Sequence, residues 1–333
     1  MIDNIPNLFS KTDPIISVIV PCFNAGKTIL KTLNSLEDQQ FNNFEVIIVN
    51  DGSFDNSDIV IKKFITNSKL NIQYKVQKNS GVSIARNVGL EISKGNYIVF
   101  LDSDDVYHKN FLNTLYTIFT KYDVDTIFCS YTRNIEELKS NNSKFGKIKH
   151  LNHEQLMTYF MYRKGPCAFV NFLYKRDILE KYNIKFEDKC KYGEDLEFTW
   201  KYLSHCRNGI FLNLKLYGYY DNPNSAVNNI NWNITNALDS VKRVEDYLLK
   251  YNDEYYIIYK NYMFDRTIWA IMKDFAYSDN KDDYQKLIDL YNIKVSMQNM
   301  MKRSNSLLIK LTALFYLINP YFFYWFIAKL KRR

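Results

Sequence analysis

The chain has 333 residues, of which 47% are hydrophobic and 24% charged, with only 10 Gly and 6 Pro. That is the composition of one large or two modest globular domains, and it excludes a disordered, fibrous or linker-rich protein. The formal net charge of +8 comes from the end of the chain, since Tyr291 onward carries eight Lys and Arg and no Asp or Glu; a balanced body with a basic tail excludes a nucleic-acid-binding body. Five dispersed cysteines without a Cys-x-x-Cys pair argue for reduced thiols in a cytosol rather than a zinc site or disulfide framework. Met1 to Asp13 has neither the positive start nor the apolar core of a signal peptide.

In chain order, Ile15 to Val20 is β-branched and apolar and predicts a strand stopped by Pro21. Asn24-Ala25-Gly26 turns into a helix near Lys27 to Gln39, with Ile29, Leu33 and Leu36 at helical spacing. Phe44 to Val49 predicts a second strand, ending at Asn50-Asp51-Gly52-Ser53. A helix follows over Ser57 to Ile65, a strand over Ile72 to Val76 and a helix over Ser83 to Ser93, broken by Lys94-Gly95. Tyr97 to Leu101 is a fourth strand, and it runs straight into Asp102, Asp104 and Asp105. Alternating strands and helices with continuous apolar strands predict an α/β fold whose mostly parallel sheet is covered by helices.

In such sheets ligands bind beyond the carboxyl ends of the strands. Three strand ends carry distinctive residues: Pro21-Cys22-Phe23-Asn24, Asn50-Asp51-Gly52-Ser53 and Asp102-Ser103-Asp104. Clustered carboxylates repel unless a cation lies between them, so the third is either a metal-bound nucleotide diphosphate site or a solvated acidic turn. Further on, the pattern predicts a helix at Asn110 to Lys121, a strand at Thr126 to Ser130 and a polar surface loop from Asn134 to Lys149. A helix is predicted at Glu154 to Arg163 and strands at Phe169 to Tyr174 and Ile210 to Tyr220. Glu194 and Asp195 open the helix Leu196 to Leu203, where the macrodipole favours acids. Trp232 to Met301 reads as helical and Tyr-rich.

With these segments in place, the chain resembles the family 2 glycosyltransferases with the GT-A fold. The matching stretches are Ser17 to Asn24, Val49-Asn50-Asp51-Gly52-Ser53, Gly81 to Gly89, Asp102 to Asp105 and Gly193-Glu194-Asp195, in that family's order across roughly the first 220 residues. The resemblance implies that Pro21, Phe23 and Asn24 belong to the nucleotide-sugar site and that Asp51 accepts from the uracil N3–H. It implies that Ser103 belongs to the same nucleotide-sugar site, that Asp102 faces the ribose and metal, that Asp104 with Asp102 holds Mn²⁺ or Mg²⁺, and that Arg86 and Asn87 close the nucleotide side. Asp195 takes the place of the catalytic base, with Glu194 as runner-up. Two departures stand out: Asn50 where the family usually has Asp, and Asp221 rather than Arg after Tyr219-Tyr220.

The expected activity is metal-dependent, inverting transfer of a sugar from a UDP-sugar to a glycan or lipid-linked acceptor, in bacterial surface polysaccharide or lipooligosaccharide synthesis. A metal stabilises the leaving diphosphate and a carboxylate deprotonates the acceptor hydroxyl. A nucleotidyltransferase would need a basic Gly-rich loop that Asn24-Ala25-Gly26-Lys27 poorly supplies. A catalytically inactive glycan-binding or scaffold protein would not need Asp102, Asp104 and Asp195. The expected organisation is a catalytic domain over 1–225 (nucleotide-sugar half 1–106, acceptor half 107–225), a helical region over 226–303, and a basic, aromatic tail over 304–333. The uncharged run Leu311 to Ala328, interrupted by Asn319-Pro320, suits peripheral contact with an anionic membrane at its cytoplasmic face. The alternatives are a helix pair packed on the catalytic domain or within a homo-oligomer, and a transmembrane span, for which 18 residues is borderline.

Overall fold

Apolar runs at the start of the chain become the centre of a sheet. The computed structural model describes residues 13–140, 147–165, 168–188, 190–220, 230–251 and 253–331. The first segments are β1 (Ile16–Cys22), α1 (Ile29–Glu37), β2 (Phe44–Asn50), α2 (Ser57–Asn67), β3 (Asn71–Val76), α3 (Val82–Ile92) and β4 (Tyr97–Phe100). Every residue of β1 and β2 is buried, as a sheet covered on both faces requires. The chain continues through β5 (Val106–Tyr107), α4 (Phe111–Lys121), β6 (Thr126–Thr132), α5 (Ile135–Ser140), β7 (Ile148–Asn152), α6 (His153–Met161), β8 (Phe172–Lys175) and α7 (Arg176–Lys181). Then come α8 (Glu194–Leu203) and β9 (Asn208–Gly218).

The strand order is β3-β2-β1-β4-β8-β6-β9-β5, with β7 also paired to β9. Pairing is parallel from β3 to β4 and between β6 and β9, and antiparallel wherever β5, β7 or β8 takes part. Six of the nine strands therefore share one direction, the mostly parallel α/β sheet that the patterning predicts. The carboxyl ends of β2, β1 and β4 lie side by side. Asp125 pins the far half: nearly fully buried, it accepts from Lys175 Nζ (2.9 Å) and from the Arg207 backbone N–H (2.8 Å) and Nε (3.0 Å).

Three expectations need correction. The polar stretch Asn134 to Lys149 is not all loop, since α5 occupies its start and β7 begins at Ile148, with 141–146 outside the described residues. Of the strand expected at Phe169 to Tyr174, residues 169–171 form a 3-10 turn and only Phe172 onward is extended, running against its neighbours. The first strand is not stopped by Pro21 but runs on to Cys22, with Pro21 opposite Val49 of β2.

The described residues group into two compact units. One draws on Met1–Leu156, Gly165–Asp188 and His205–Asp221, and holds the sheet. The other draws on Met157–Lys164, Lys189–Ser204 and Asn222–Arg333. It contains α8 together with α9 (Asn236–Lys250), α10 (Tyr256–Tyr277), α11 (Lys281–Leu290), α12 (Ile293–Arg303), α13 (Leu307–Ile318) and α14 (Pro320–Lys331). Pro320 divides the last apolar run into two 12-residue helices, because proline cannot donate a helical N–H. Among the described residues no helix is long and apolar enough to cross a membrane.

Candidate active site

The loops after β1 and β2 are stapled to each other. Asn24 adopts φ 49, a left-handed conformation that Asn tolerates. Its backbone N–H donates to Ser53 Oγ (3.0 Å) and its side-chain Oδ1 accepts from the Phe54 N–H (3.0 Å). Phe23 is 45% exposed and meets Phe54 edge-on at 5.9 Å, whereas Pro21 is buried inside β1.

Asp51 is only 3% exposed. Its Oδ1 accepts from Gln77 Nε2 (2.8 Å) and the Ser80 N–H (2.8 Å), and its Oδ2 from the Gly81 N–H (2.8 Å). The carboxylate thus fixes the turn that starts α3. Gly52, at φ 71, has no room for a side chain: a Cβ would lie 2.7 Å from the Asn79 nitrogen. Asn50 completes a chain that an acid could not. Its Nδ2 donates to Tyr74 Oη (2.8 Å), leaving that hydroxyl to donate to Asp58 Oδ1 (2.7 Å).

On α3, Arg86 is 4% exposed and lies over Phe169 (4.4 Å) and Phe186 (5.3 Å). Its Nη2 donates to Asp102 Oδ1 at 3.0 Å, aiming that carboxylate from behind β4. Asn87 makes a reciprocal pair with the Phe186 backbone (Nδ2 to O 2.8 Å; N to Oδ1 2.9 Å) and donates to Asp188 Oδ1 (2.9 Å). Both side chains therefore order protein around the acidic strand end.

Beyond β4, Asp102, Ser103 and Asp104 are partly exposed and Asp105 is buried. The three acids divide by direction. Asp105 turns inward to the Tyr217 hydroxyl (2.5 Å) and the Tyr220 N–H (2.9 Å). Burial, with the charge of Asp102, pushes its carboxyl up to about 8 against the pull of those hydrogen bonds. Sequence reasoning gives Asp105 no role; three acids in four residues, too many to face one ion, is the available signal.

Asp102 and Asp104 remain as an oxygen-only pair, and no group of three or more His, Cys, Asp or Glu among the described residues makes a complete metal cage. That donor set fits a hard divalent ion of the Mg²⁺ or Mn²⁺ kind, which takes one or two carboxylates and completes its shell with water and substrate phosphate.

The expected base lies in the helical unit. Gly193, at φ 87, caps α8, and a Cβ there would come within 3.0 Å of Ser240 Oγ. Glu194 and Asp195 follow, both partly exposed, with Asp195 Oδ1 accepting from the Leu196 N–H at 2.7 Å. In the same first turn Glu197 is buried under Lys201 (2.6 Å) and Arg243 (2.7 Å). The sheet unit thus gathers Asn24, Asp51, Arg86 and Asp102 to Asp104 at adjoining strand ends, and the second unit carries Glu194 and Asp195 at the start of α8.

Residues 17–183 match the family model for Glycosyl transferase family 2. The chain belongs to that family. This family 2 chain is 27% identical over 227 residues to the uncharacterized glycosyltransferase EpsJ of Bacillus subtilis (strain 168), covering 64% of the chain and 62% of EpsJ. It is 32% identical over 199 residues to the poly(ribitol-phosphate) beta-N-acetylglucosaminyltransferase TarP of Staphylococcus aureus (strain N315), covering 58% of each. The matches thus span about three fifths of those relatives' length. Among solved structures, S. aureus TarS 1-349 in complex with UDP-GlcNAc has the same fold, with a TM-score of 0.61, 18% identity, and coverage of 95% of this chain and 91% of that one. The mannosyltransferase PcManGT of Pyrobaculum calidifontis, in complex with GDP-Man and Mn²⁺, aligns at a TM-score of 0.55 with 13% identity, over 96% and 87% of the two chains.

Proposed function

We propose that this chain is a metal-dependent inverting glycosyltransferase that moves a sugar from a UDP-sugar to a glycan or lipid-linked acceptor in bacterial surface-polysaccharide synthesis. The observation that carries the reading is the partly exposed pair Asp102 and Asp104, set beside Asp51 and the stapled Asn24 loop, with Arg86 holding Asp102. The UDP-GlcNAc complex of TarS and the named activity of TarP support a UDP-sugar donor. The GDP-Man and Mn²⁺ complex of PcManGT supports a metal.

Asp102 and Asp104 would hold the divalent ion, which supplies Lewis acidity to the departing diphosphate. Phe23 would offer an exposed ring to the base. Asp51 keeps acceptor capacity on Oδ2 for the uracil N3–H, since a carboxylate can accept about four hydrogen bonds. Asp195 would take the proton from the acceptor hydroxyl, with Glu194 as the alternative, and one displacement inverts the anomeric centre. A lipid-linked acceptor would set the reaction at the cytoplasmic face of the cell membrane, with peripheral attachment through 304–333.

The test is UDP release from a panel of UDP-sugars with and without Mn²⁺, comparing the native chain with Asp195→Asn and Asp104→Asn. Metal-dependent UDP release that both substitutions abolish is expected. Release of pyrophosphate instead of UDP, or UDP release indifferent to both substitutions, would overturn the reading.

A further inference from the structure

Each of the last two helices turns one side into the helical unit. Ile309, Thr312, Ala313 and Tyr316 of α13 and Phe323, Tyr324 and Ile327 of α14 are buried. Trp269 Nε1 donates to Thr312 Oγ1 (2.9 Å), and Tyr324 Oη to Asp279 Oδ1 (2.6 Å), so the inward sides are fixed by polar bonds as well as packing.

The outward sides are not polar. At helical spacing, Leu307, Leu311, Leu314 and Ile318 form a single stripe along α13, each between 40% and 73% exposed. On α14 the outward side carries Tyr321, Phe322 and Trp325, between 53% and 66% exposed. So much exposed apolar surface on one helix pair marks an interaction face.

Charge decides what covers it. Lys310 and Lys329 are exposed on the same two helices, with Lys329 Nζ 4.7 Å over the Trp325 ring; Lys302 and Arg303, also exposed, end the preceding helix, and no Asp or Glu follows Asp289 in the chain. A second copy of the same face would bring like charges together, since a two-fold interface repeats one patch on both sides. An anionic bilayer surface takes both features: phosphates pair with the cations, Tyr and Trp suit the headgroup level, and Leu and Phe enter the acyl boundary. Each helix is roughly 18 Å long, too short for a hydrocarbon core of about 30 Å, so the pair would lie in the surface plane.

We propose that the outward side of α13 and α14 is the docking surface of this chain for an anionic bilayer. The proposal rests on the peripheral-membrane reading of 304–333 and narrows it to one side of a helix pair whose other side is core.

The experiment is co-sedimentation of the full chain with vesicles of phosphatidylcholine alone or with phosphatidylglycerol, at low and high salt. The comparison variant is Leu314→Asp with Trp325→Ala, both at exposed positions, and melting and light scattering without lipid serve as controls. The expected result is sedimentation with anionic vesicles that salt weakens, roughly a tenfold or greater loss in the variant, and an unchanged melt. If the native chain sediments and the variant does so equally, this surface is not the site, while membrane attachment stands. If neither sediments with any vesicle, both claims fall. If the native chain ignores vesicles but is a dimer that the variant dissociates, the face joins copies of the chain and the proposal is overturned.

Discussion

The Asp105 carboxylate and the Tyr217 hydroxyl meet at 2.5 Å in a pocket where Asp105 is only 1% exposed. The contact fastens the acidic turn to the end of β9, because the same carboxylate also accepts the Tyr220 N–H. Tyr217→Phe would leave a buried acceptor short of one donor, an effect worth roughly 1–3 kcal/mol. Chemical denaturation should show that loss. An unchanged midpoint would mean the hydroxyl does not hold the turn.

Arg86 lies over the Phe169 and Phe186 rings and donates from Nη2 to Asp102 Oδ1. Lysine keeps the charge but not the planar guanidinium that lies over the rings while one nitrogen reaches Asp102. Arg86→Lys is expected to weaken Mn²⁺-dependent UDP binding about tenfold by calorimetry, a figure on the scale of one charge-assisted hydrogen bond. Equal affinity in the variant would remove Arg86 from the site's support.

Asn50 replaces the acid usual in the resembled motif, and its amide donates to Tyr74. Asn50→Asp would turn that donor into an acceptor, so the single Tyr74 hydroxyl proton could no longer serve both the introduced carboxylate and Asp58. We expect a loss of about 1–2 kcal/mol in unfolding free energy. A neutral or stabilising result would show that the amide chain contributes nothing.

Asp125→Ala would strip a nearly buried carboxylate from Lys175 and Arg207. Because Arg207 is well exposed and retains water, about 2–3 kcal/mol is expected rather than the full cost of breaking a buried pair. Thermal melting is the check, and UDP affinity of the folded fraction should not change.

His205 stacks on Tyr182 with ring centroids 3.4 Å apart. Burial, helped by the charges of Lys181 and His153, lowers its pKa to about 4. Its contribution is therefore fully present above an ordinary histidine pKa of about 6.5 and is lost as pH falls from there towards 4, because only the unfolded chain binds the proton in that window. His205→Gln should flatten the decline of stability between those values. An unaltered slope would show that other groups set it.

How much of this could be read in advance follows from where the information lies. β1, β2 and β4 are buried on both faces, so each is an apolar run with polar residues at its end, and the convergence of their loops follows from parallel pairing. β5 is two residues long and β7 carries the exposed Lys149 and His150, so neither leaves a pattern. The partners of Asp51, Asn87 and Asp105 are set by tertiary approach, Asp105 and Tyr217 being 112 residues apart. Resemblance points to Asp51 and Arg86 as ligand-facing groups. Within the chain Asp51 also holds the turn before α3 and Arg86 also holds Asp102, contacts that residue type alone does not announce.

The helix bearing Glu194 and Asp195 is tied to α9 at two points, Gly193 against Ser240 and Glu197 to Arg243. Its segment, Lys189–Ser204, accordingly groups with the C-terminal helices although it precedes β9 in the chain. The consequence is for recombination. A crossover after residue 225 between relatives would give α8 one parent's sequence and α9 the other's, with the Gly193 and Glu197 fittings mismatched. Exchanging 189–204 along with the C-terminal helices would pass the candidate base on with its own support, making it heritable separately from the strand ends that carry Asp51 and Asp102.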